Sequence, residues 1–125
     1  MLSNLHKAFF VAAIVAVPSL ALASEPFDAK SFEASQAAGK SILVDVTAPW
    51  CPTCKQQRPV VQEIEKEHPG LVVYEVDFDS AKDVLKKFRT QYQSTLIVFK
   101  GSKELARSTG ETDPAAIRSL VAKAF

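Results

Sequence analysis

The 125-residue chain is poor in cysteine, with only two, and has a single tryptophan and a single methionine. Two cysteines are too few for the framework of several disulfides that holds many small exported domains together. An excess of charge of one sign is also lacking, because 15 basic residues face 14 acidic ones and the two kinds are interspersed. We therefore predict no nucleic-acid partner. The content of 47% hydrophobic and 23% charged residues is typical of one compact domain.

The first 23 residues have the pattern of a secretory signal peptide. A short polar and basic start is followed by an apolar stretch from Ala8 to Val17, a break at Pro18 and small residues up to Ala23. An uncleaved anchor is the alternative, but the 16 residues from 8 to 23 are fewer than the roughly 20 that a membrane span needs. We predict cleavage after Ala23, a mature domain at 24–125 with no net charge, and a periplasmic or otherwise exported location. Contact with a membrane is expected only through an uncleaved signal.

Both cysteines lie in the sequence Trp-Cys-Pro-Thr-Cys-Lys at 50–55, where a predicted strand gives way to a predicted helix. Residues 41–48 are apolar on both faces except at Asp45, which predicts a strand buried in the centre of a sheet. Residues 51–68 change to the apolar spacing of a helix. The remaining patterns predict an extended entry and helix within 27–39, strands at 71–79, 95–99 and 104–108, a short helix at 81–88, and a last helix from Asp113–Pro114.

A cysteine at the start of a helix is placed where its ionised form is favoured. The first backbone N–H groups of a helix have no intrahelical partner, and the helix dipole adds partial positive charge there. We therefore predict Cys51 as a nucleophilic thiolate, with Lys55 as a nearby cation. The spacing of three brings Cys54 onto the same face, close enough to attack a mixed disulfide on Cys51. A structural staple is the alternative, although so short a loop constrains the unfolded chain only weakly.

Two further alternatives stay open. Asp45 in its apolar strand is either the proton acceptor for Cys54 or a hydrogen-bonded structural residue. The two thiols are also soft ligands, so a module that binds or delivers copper or zinc is the rival to a redox enzyme. Zinc normally takes four ligands, and the chain has no second cysteine pair. The leading prediction is an enzyme without a cofactor and without a resident metal.

Over nearly all of its predicted mature length, the chain resembles the thioredoxin-fold thiol-disulfide oxidoreductases. The residues that carry the resemblance are Leu43–Asp45, Ala48–Cys51, Cys54–Lys55, Pro59, Val76–Asp79, Thr95–Phe99 and Gly110. The resemblance implies an α/β thioredoxin fold with a central mixed β-sheet flanked by helices, and a redox-active disulfide in which Cys51 attacks and Cys54 resolves. It also implies a helix kink at Pro59. The predicted activity is reduction of disulfides in protein substrates by a monomer that a membrane electron donor recharges.

We also predict substrate contacts by Trp50 and Pro52, which lie beside the cysteines, with core or rim packing as the alternative for Trp50. Ser94 and Thr95, in the loop that faces the cysteines in related proteins, are predicted to contact substrate as well. Relatives usually have a cis-proline before the threonine, whereas this chain has Ser94. A cis bond before a non-proline residue costs roughly 2.5–4 kcal/mol, so we expect a trans bond between Gln93 and Ser94. A loop of different shape, with thiols more accessible to a metal, is the expected consequence.

A second departure from the family pattern concerns the residue expected beside Asp45. Many relatives have a lysine on the next strand, and the corresponding position here is Glu75. Asp45 is therefore expected to face another carboxylate. Burial and like-charge repulsion raise the pKa of a carboxyl group, so at least one of the two is expected to titrate above its usual range.

Overall fold

The computed structural model describes residues 12–16 and 24–125. The signal peptide predicted at 1–23 lies outside the described residues, except for 12–16, which carry no regular secondary structure. Within the described ranges, no helix is long and apolar enough to cross a membrane.

Strands and helices follow one another in the predicted order. The described part contains β1 (Glu25–Pro26), α1 (Ala29–Ala37), β2 (Ser41–Thr47), α2 (Pro52–Glu67), β3 (Leu71–Asp77), α3 (Lys82–Lys87), β4 (Thr95–Lys100), β5 (Lys103–Thr109) and α4 (Pro114–Ala122). The predicted bounds of the elements from β2 to β5 are confirmed to within two residues at each end. The final helix begins as predicted, because Asp113 is its N-cap and accepts a hydrogen bond from the backbone N–H of Ala116.

The five strands form one mixed sheet in the order β1-β3-β2-β4-β5. Strands β1 and β2 run parallel to β3, while β4 is antiparallel to both β2 and β5. The central strand is β2, which leads directly into the turn before α2. The predicted α/β fold, a central mixed sheet flanked by helices, is confirmed.

Strand β2 divides its side chains between two cores on opposite faces of the sheet. Ile42, Val44 and Val46 pack with side chains of α1 and α3, whereas Leu43 packs with side chains of α2 and α4. Because side chains alternate along a strand, Asp45 lies on the same face as Leu43. The fold therefore places this carboxyl group on the face of the sheet that α2 covers.

Helix α2 turns an apolar stripe toward the sheet. Val60, Val61 and Ile64 form this stripe, and the buried side chain of Gln57 continues it toward the N-terminus of the helix. Pro59 lies inside the helix, at the position where the resemblance implies a kink. Proline has no backbone N–H, so one hydrogen bond of the helix ladder is missing at this point.

Candidate active site

The two cysteines form a disulfide at the start of α2. Cys51 is the N-cap residue, with an extended backbone (φ −84°, ψ 111°), and Pro52 follows at the first helical position. The Cα atoms of Cys51 and Cys54 are 5.3 Å apart. The backbone N–H of Cys54 donates a hydrogen bond to Sγ of Cys51 at 3.1 Å. Sulfur thus occupies the place of the oxygen acceptor usual at an N-cap, and this N–H favours a thiolate on Cys51 after reduction.

Protein atoms cover both sulfurs. Cys51 is only 1% exposed and Cys54 only 3% exposed, and both pack with Ala48 and the ring of Phe78. The expected access of a metal concerns the reduced thiols and stays a prediction. In the disulfide form the side chain of Ser94 lies against both sulfurs and helps to cover them.

Ser94 contacts the redox pair directly. The bond before it is trans as predicted, since the described residues contain no cis peptide bond. The backbone of Ser94 adopts a φ of 59°, in the left-handed region that few residues other than glycine favour. In this conformation its Oγ lies 3.2 Å from Sγ of Cys51 and 3.5 Å from Sγ of Cys54.

The four residues predicted to contact substrate differ in their exposure to solvent. Trp50 is 54% exposed, and its indole N–H donates a hydrogen bond to Oδ2 of Asp79 at 2.8 Å. Pro52 is exposed as well. Thr95 is 2% exposed and its hydroxyl donates to a backbone carbonyl oxygen of the facing loop, while Ser94 is 3% exposed. Trp50 and Pro52 thus form the exposed side of the site, and Ser94 and Thr95 lie beneath the surface.

Asp45 is a buried carboxyl group on the sheet face covered by α2. It is 8% exposed, and its Oδ1 has no hydrogen-bond partner among the described residues. Glu75 is its neighbour in register on β3, so the expected second carboxylate is present. Burial raises the pKa of Asp45 to about 7, the negative charge of Glu75 adds to the rise, and the positive charge of Arg58 opposes it. A carboxyl group with such a pKa can accept or release a proton near neutral pH.

A cavity of about 460 Å³ opens beside this carboxylate pair. Its lining includes Glu75 of β3, Arg58 of α2 and Asp77 at the end of β3. Glu75 belongs both to this lining and to the register pair with Asp45.

Two residues of the site, Gln57 and Arg58, were not identified from the sequence. Gln57 is 1% exposed, and its Nε2 donates hydrogen bonds to the carbonyl oxygens of Ser94 at 3.2 Å and Glu111 at 2.9 Å. The signal for Gln57 was its place on the apolar stripe of α2, three residues before Val60, where glutamine is seldom buried. Arg58 had no such signal, since its role depends on the cavity and on the neighbouring strand.

Known proteins resemble this chain in sequence. The family model described as thioredoxin matches residues 14–123. Thioredoxin-1 of Saccharomyces cerevisiae is 34% identical over 94 residues, which cover 75% of this chain and 90% of the yeast protein. Thioredoxin of Chlamydia trachomatis is 34% identical over 82 residues, or 66% of this chain and 80% of that protein.

Solved structures agree with these matches. The crystal structure of Trxlp from Edwardsiella tarda has a TM-score of 0.76 and 39% identity, and the match covers 79% of this chain and 98% of that one. Fasciola hepatica thioredoxin has a TM-score of 0.72 and 25% identity, over 82% of this chain and all of that one (100%). The chain therefore belongs to the thioredoxin family, and its Cys51–Cys54 pair makes it a thiol-disulfide oxidoreductase.

Proposed function

We propose that this thioredoxin is exported and acts as a reductant of disulfides in other proteins, with Cys51 attacking and Cys54 resolving. The observation that carries the assignment of Cys51 is its place at the N-cap of α2, where the N–H of Cys54 is directed at its sulfur. Cys54 has no comparable position, because it lies inside the first turn of the helix. The support for export is the signal-like composition of residues 1–23.

The reaction proceeds by two exchanges. The thiolate of Cys51 attacks one sulfur of a substrate disulfide, forms a mixed disulfide, and releases the other substrate sulfur as a thiolate. Cys54 then loses its proton and attacks Sγ of Cys51, which breaks the mixed disulfide and releases the second substrate thiolate. Two electrons pass to the substrate, its two thiolates are protonated, and the enzyme is left with the Cys51–Cys54 disulfide.

Asp45 supplies the base for the second exchange. Its pKa of about 7 leaves a substantial fraction of the carboxylate ready to take the proton of Cys54 at neutral pH. The proton then leaves toward the cavity that Glu75 lines. The unpartnered Oδ1 of Asp45 supports this role over a purely structural one, because a structural aspartate would be expected to have its hydrogen bonds satisfied.

Partner proteins first meet the exposed side of the site. Trp50 offers a half-exposed ring held by Asp79, and Pro52 offers an exposed apolar surface beside the disulfide. The substrate contacts predicted for Ser94 and Thr95 require a movement of the facing loop, since both side chains are buried in this form. We place these two residues in the second stage of binding, when this movement opens the loop to the substrate while Ser94 stays beside the sulfurs.

An exported reductant needs a supply of electrons outside the cytosol. Thiols tend to become oxidised in that environment, so the disulfide has to be reduced again after each cycle. We propose that a membrane-bound dithiol donor recharges the Cys51–Cys54 pair by the same exchange chemistry, and that the protein acts as a monomer.

The rival function, copper or zinc binding, would use the same two sulfurs. No cluster of three or more histidine, cysteine, aspartate and glutamate side chains that could hold a metal occurs in residues 12–16 and 24–125. The remaining donor beside the sulfurs is the hydroxyl of Ser94. A metal site here would therefore depend on Ser94, on solvent, or on a second chain for its other ligands.

Trapping tests the roles of the two cysteines and the proposed compartment together. The full chain carrying Cys54→Ala is expressed in a Gram-negative host and recovered from periplasmic extracts under non-reducing conditions. Because Cys51 can still attack but nothing resolves the product, we expect mixed disulfides with host proteins on a chain that begins at Ser24. Mass spectrometry identifies both the linkage and the first residue.

The matched control is Cys51→Ala, which is expected to trap nothing. Trapping by Cys51→Ala and not by Cys54→Ala would reverse the assignment of the two cysteines. Recovery of the whole 125-residue chain from the cytoplasm would contradict export while leaving the exchange chemistry intact.

Replacing Asp45 by asparagine separates a catalytic from a structural role. The pKa of Asp45 rises from 3.8 to about 7 on folding, so the folded protein binds the extra proton between these values. The free energy of unfolding of the oxidised wild type should therefore fall as the pH rises from about 4 to about 7, and then level off. Asp45→Asn should lose this fall and slow resolution by Cys54 by about 100-fold. Urea unfolding and rapid-mixing kinetics measure the two effects.

The control is Asp83→Asn, which removes an exposed carboxylate on α3 and should change neither measurement. Resolution at the wild-type rate in Asp45→Asn would leave Asp45 with a structural role only. A fall in stability that persists in Asp45→Asn would mean that a different group takes up the proton.

Metal titration of the reduced protein tests the rival function. We expect wild-type protein to bind neither Zn²⁺ nor Cu⁺ more tightly than micromolar in competition with a chelator. Binding tighter than micromolar that disappears in both Cys51→Ala and Ser94→Pro would favour the metal-delivery function instead.

A further inference from the structure

The Ser94 hydroxyl is in contact with both reacting atoms of the enzyme. Its Oγ lies 3.2 Å from Sγ of Cys51 and 3.5 Å from Sγ of Cys54, inside a site where each of these residues is at most 3% exposed. A serine hydroxyl carries one hydrogen that can rotate toward either neighbour. With water excluded, this hydroxyl and the N–H of Cys54 are the donors that the described residues direct at the Cys51 sulfur.

Two hydrogen bonds hold Ser94 in its left-handed conformation. Its carbonyl oxygen accepts one from the N–H of Gly110 at 3.0 Å and one from Nε2 of Gln57 at 3.2 Å. Gln57 belongs to α2, the helix that begins with the cysteines, and its second amide hydrogen bonds the carbonyl oxygen of Glu111 at 2.9 Å. Gln57 therefore ties the facing loop to the helix that carries the redox pair.

We propose that Ser94 is a catalytic residue that donates a hydrogen bond to the Cys51 thiolate of the reduced enzyme, and that Gln57 is the positioning residue that holds Ser94 there. This inference rests on the thiol-exchange function above. A thiolate is a much stronger hydrogen-bond acceptor than a disulfide sulfur, so the hydroxyl stabilises the reduced form more than the oxidised form. It thereby shifts the redox equilibrium of the pair toward the dithiol, which lowers the driving force of the pair as a reductant while it keeps Cys51 ionised for attack.

The same hydroxyl can serve the second exchange. Once Cys51 is tied up in a mixed disulfide, its sulfur no longer carries a charge, and the hydroxyl can rotate to the Cys54 sulfur at 3.5 Å. A proline at position 94 could do neither, because its side chain has no donor and its backbone has no N–H. Serine at this position thus gives the enzyme an adjustable donor that a proline would not supply.

The redox equilibrium of the pair with reduced and oxidised glutathione at neutral pH tests the proposal. Ser94→Ala removes the hydroxyl and keeps the Cβ atom at the same φ, so we expect its equilibrium constant to shift toward the disulfide by about tenfold. Gln57→Leu keeps a similar side-chain volume but loses both donated hydrogen bonds, and is expected to shift the constant in the same direction by a smaller factor. In the Ser94→Ala background, Gln57→Leu should cause no further shift.

Gln56→Leu, an exposed neighbour on the same helix, is the matched control and should leave the constant unchanged. A wild-type constant in Ser94→Ala overturns the proposal, whatever Gln57→Leu does and even if that variant does not fold. If Gln57→Leu shifts the equilibrium constant by an equal factor in the Ser94→Ala background, the positioning role of Gln57 is overturned. A wild-type pair that does not exchange with glutathione at all would overturn the thiol-exchange function itself, and this inference with it.

Discussion

The hydrogen bond from the backbone N–H of Cys54 to the sulfur of Cys51 is the interaction on which the rest of the site depends. It exists because β2 ends at Thr47 and α2 begins at Pro52, so that Cys51 falls on the N-cap between them. At that place the first turn of the helix has donors without intrahelical partners, and a sulfur can accept one of them. The proposed nucleophile, Cys51, thus lies where a buried strand meets a helix.

The buried carboxyl group of Asp45, beneath α2, is the second feature of the site. Burying Asp45 without a partner for Oδ1 is costly for its charged form, and the charge of Glu75 beside it increases the cost. The pKa of Asp45 is therefore about 7, which is the strength that the proposed base for Cys54 requires at neutral pH. Arg58, which lines the cavity, lowers the pKa of Asp45, whereas burial and the charges of Glu75 and Glu65 raise it.

Much of the fold was predictable from the sequence because it depends on local patterns. The continuous apolar run around Asp45 predicted the central strand, and the Asp113–Pro114 pair predicted where the last helix begins. The trans bond before Ser94 followed from the cost of a cis bond at a non-proline residue. These predictions need only the chemistry of neighbouring residues in the chain.

The arrangement over the sulfurs was not predictable in the same way. The sequence predicted an open space at Ser94, but its φ of 59° and its two sulfur contacts depend on Gln57 and Gly110, which lie far away in sequence. A contact between residues 37 positions apart, such as that between Gln57 and Ser94, cannot be predicted from the local periodicity of the sequence.

If the N-cap position favours the thiolate of Cys51, this thiol ionises below the range of an ordinary cysteine, and a pH titration of its thiolate absorbance in the ultraviolet measures that ionisation. Reduced wild-type protein and Cys54→Ala are both expected to show a thiolate that forms clearly below the usual pKa of about 8.5. Cys51→Ala should lack it. A wild-type titration with no step below about 8.5, or one that survives in Cys51→Ala, would contradict the account.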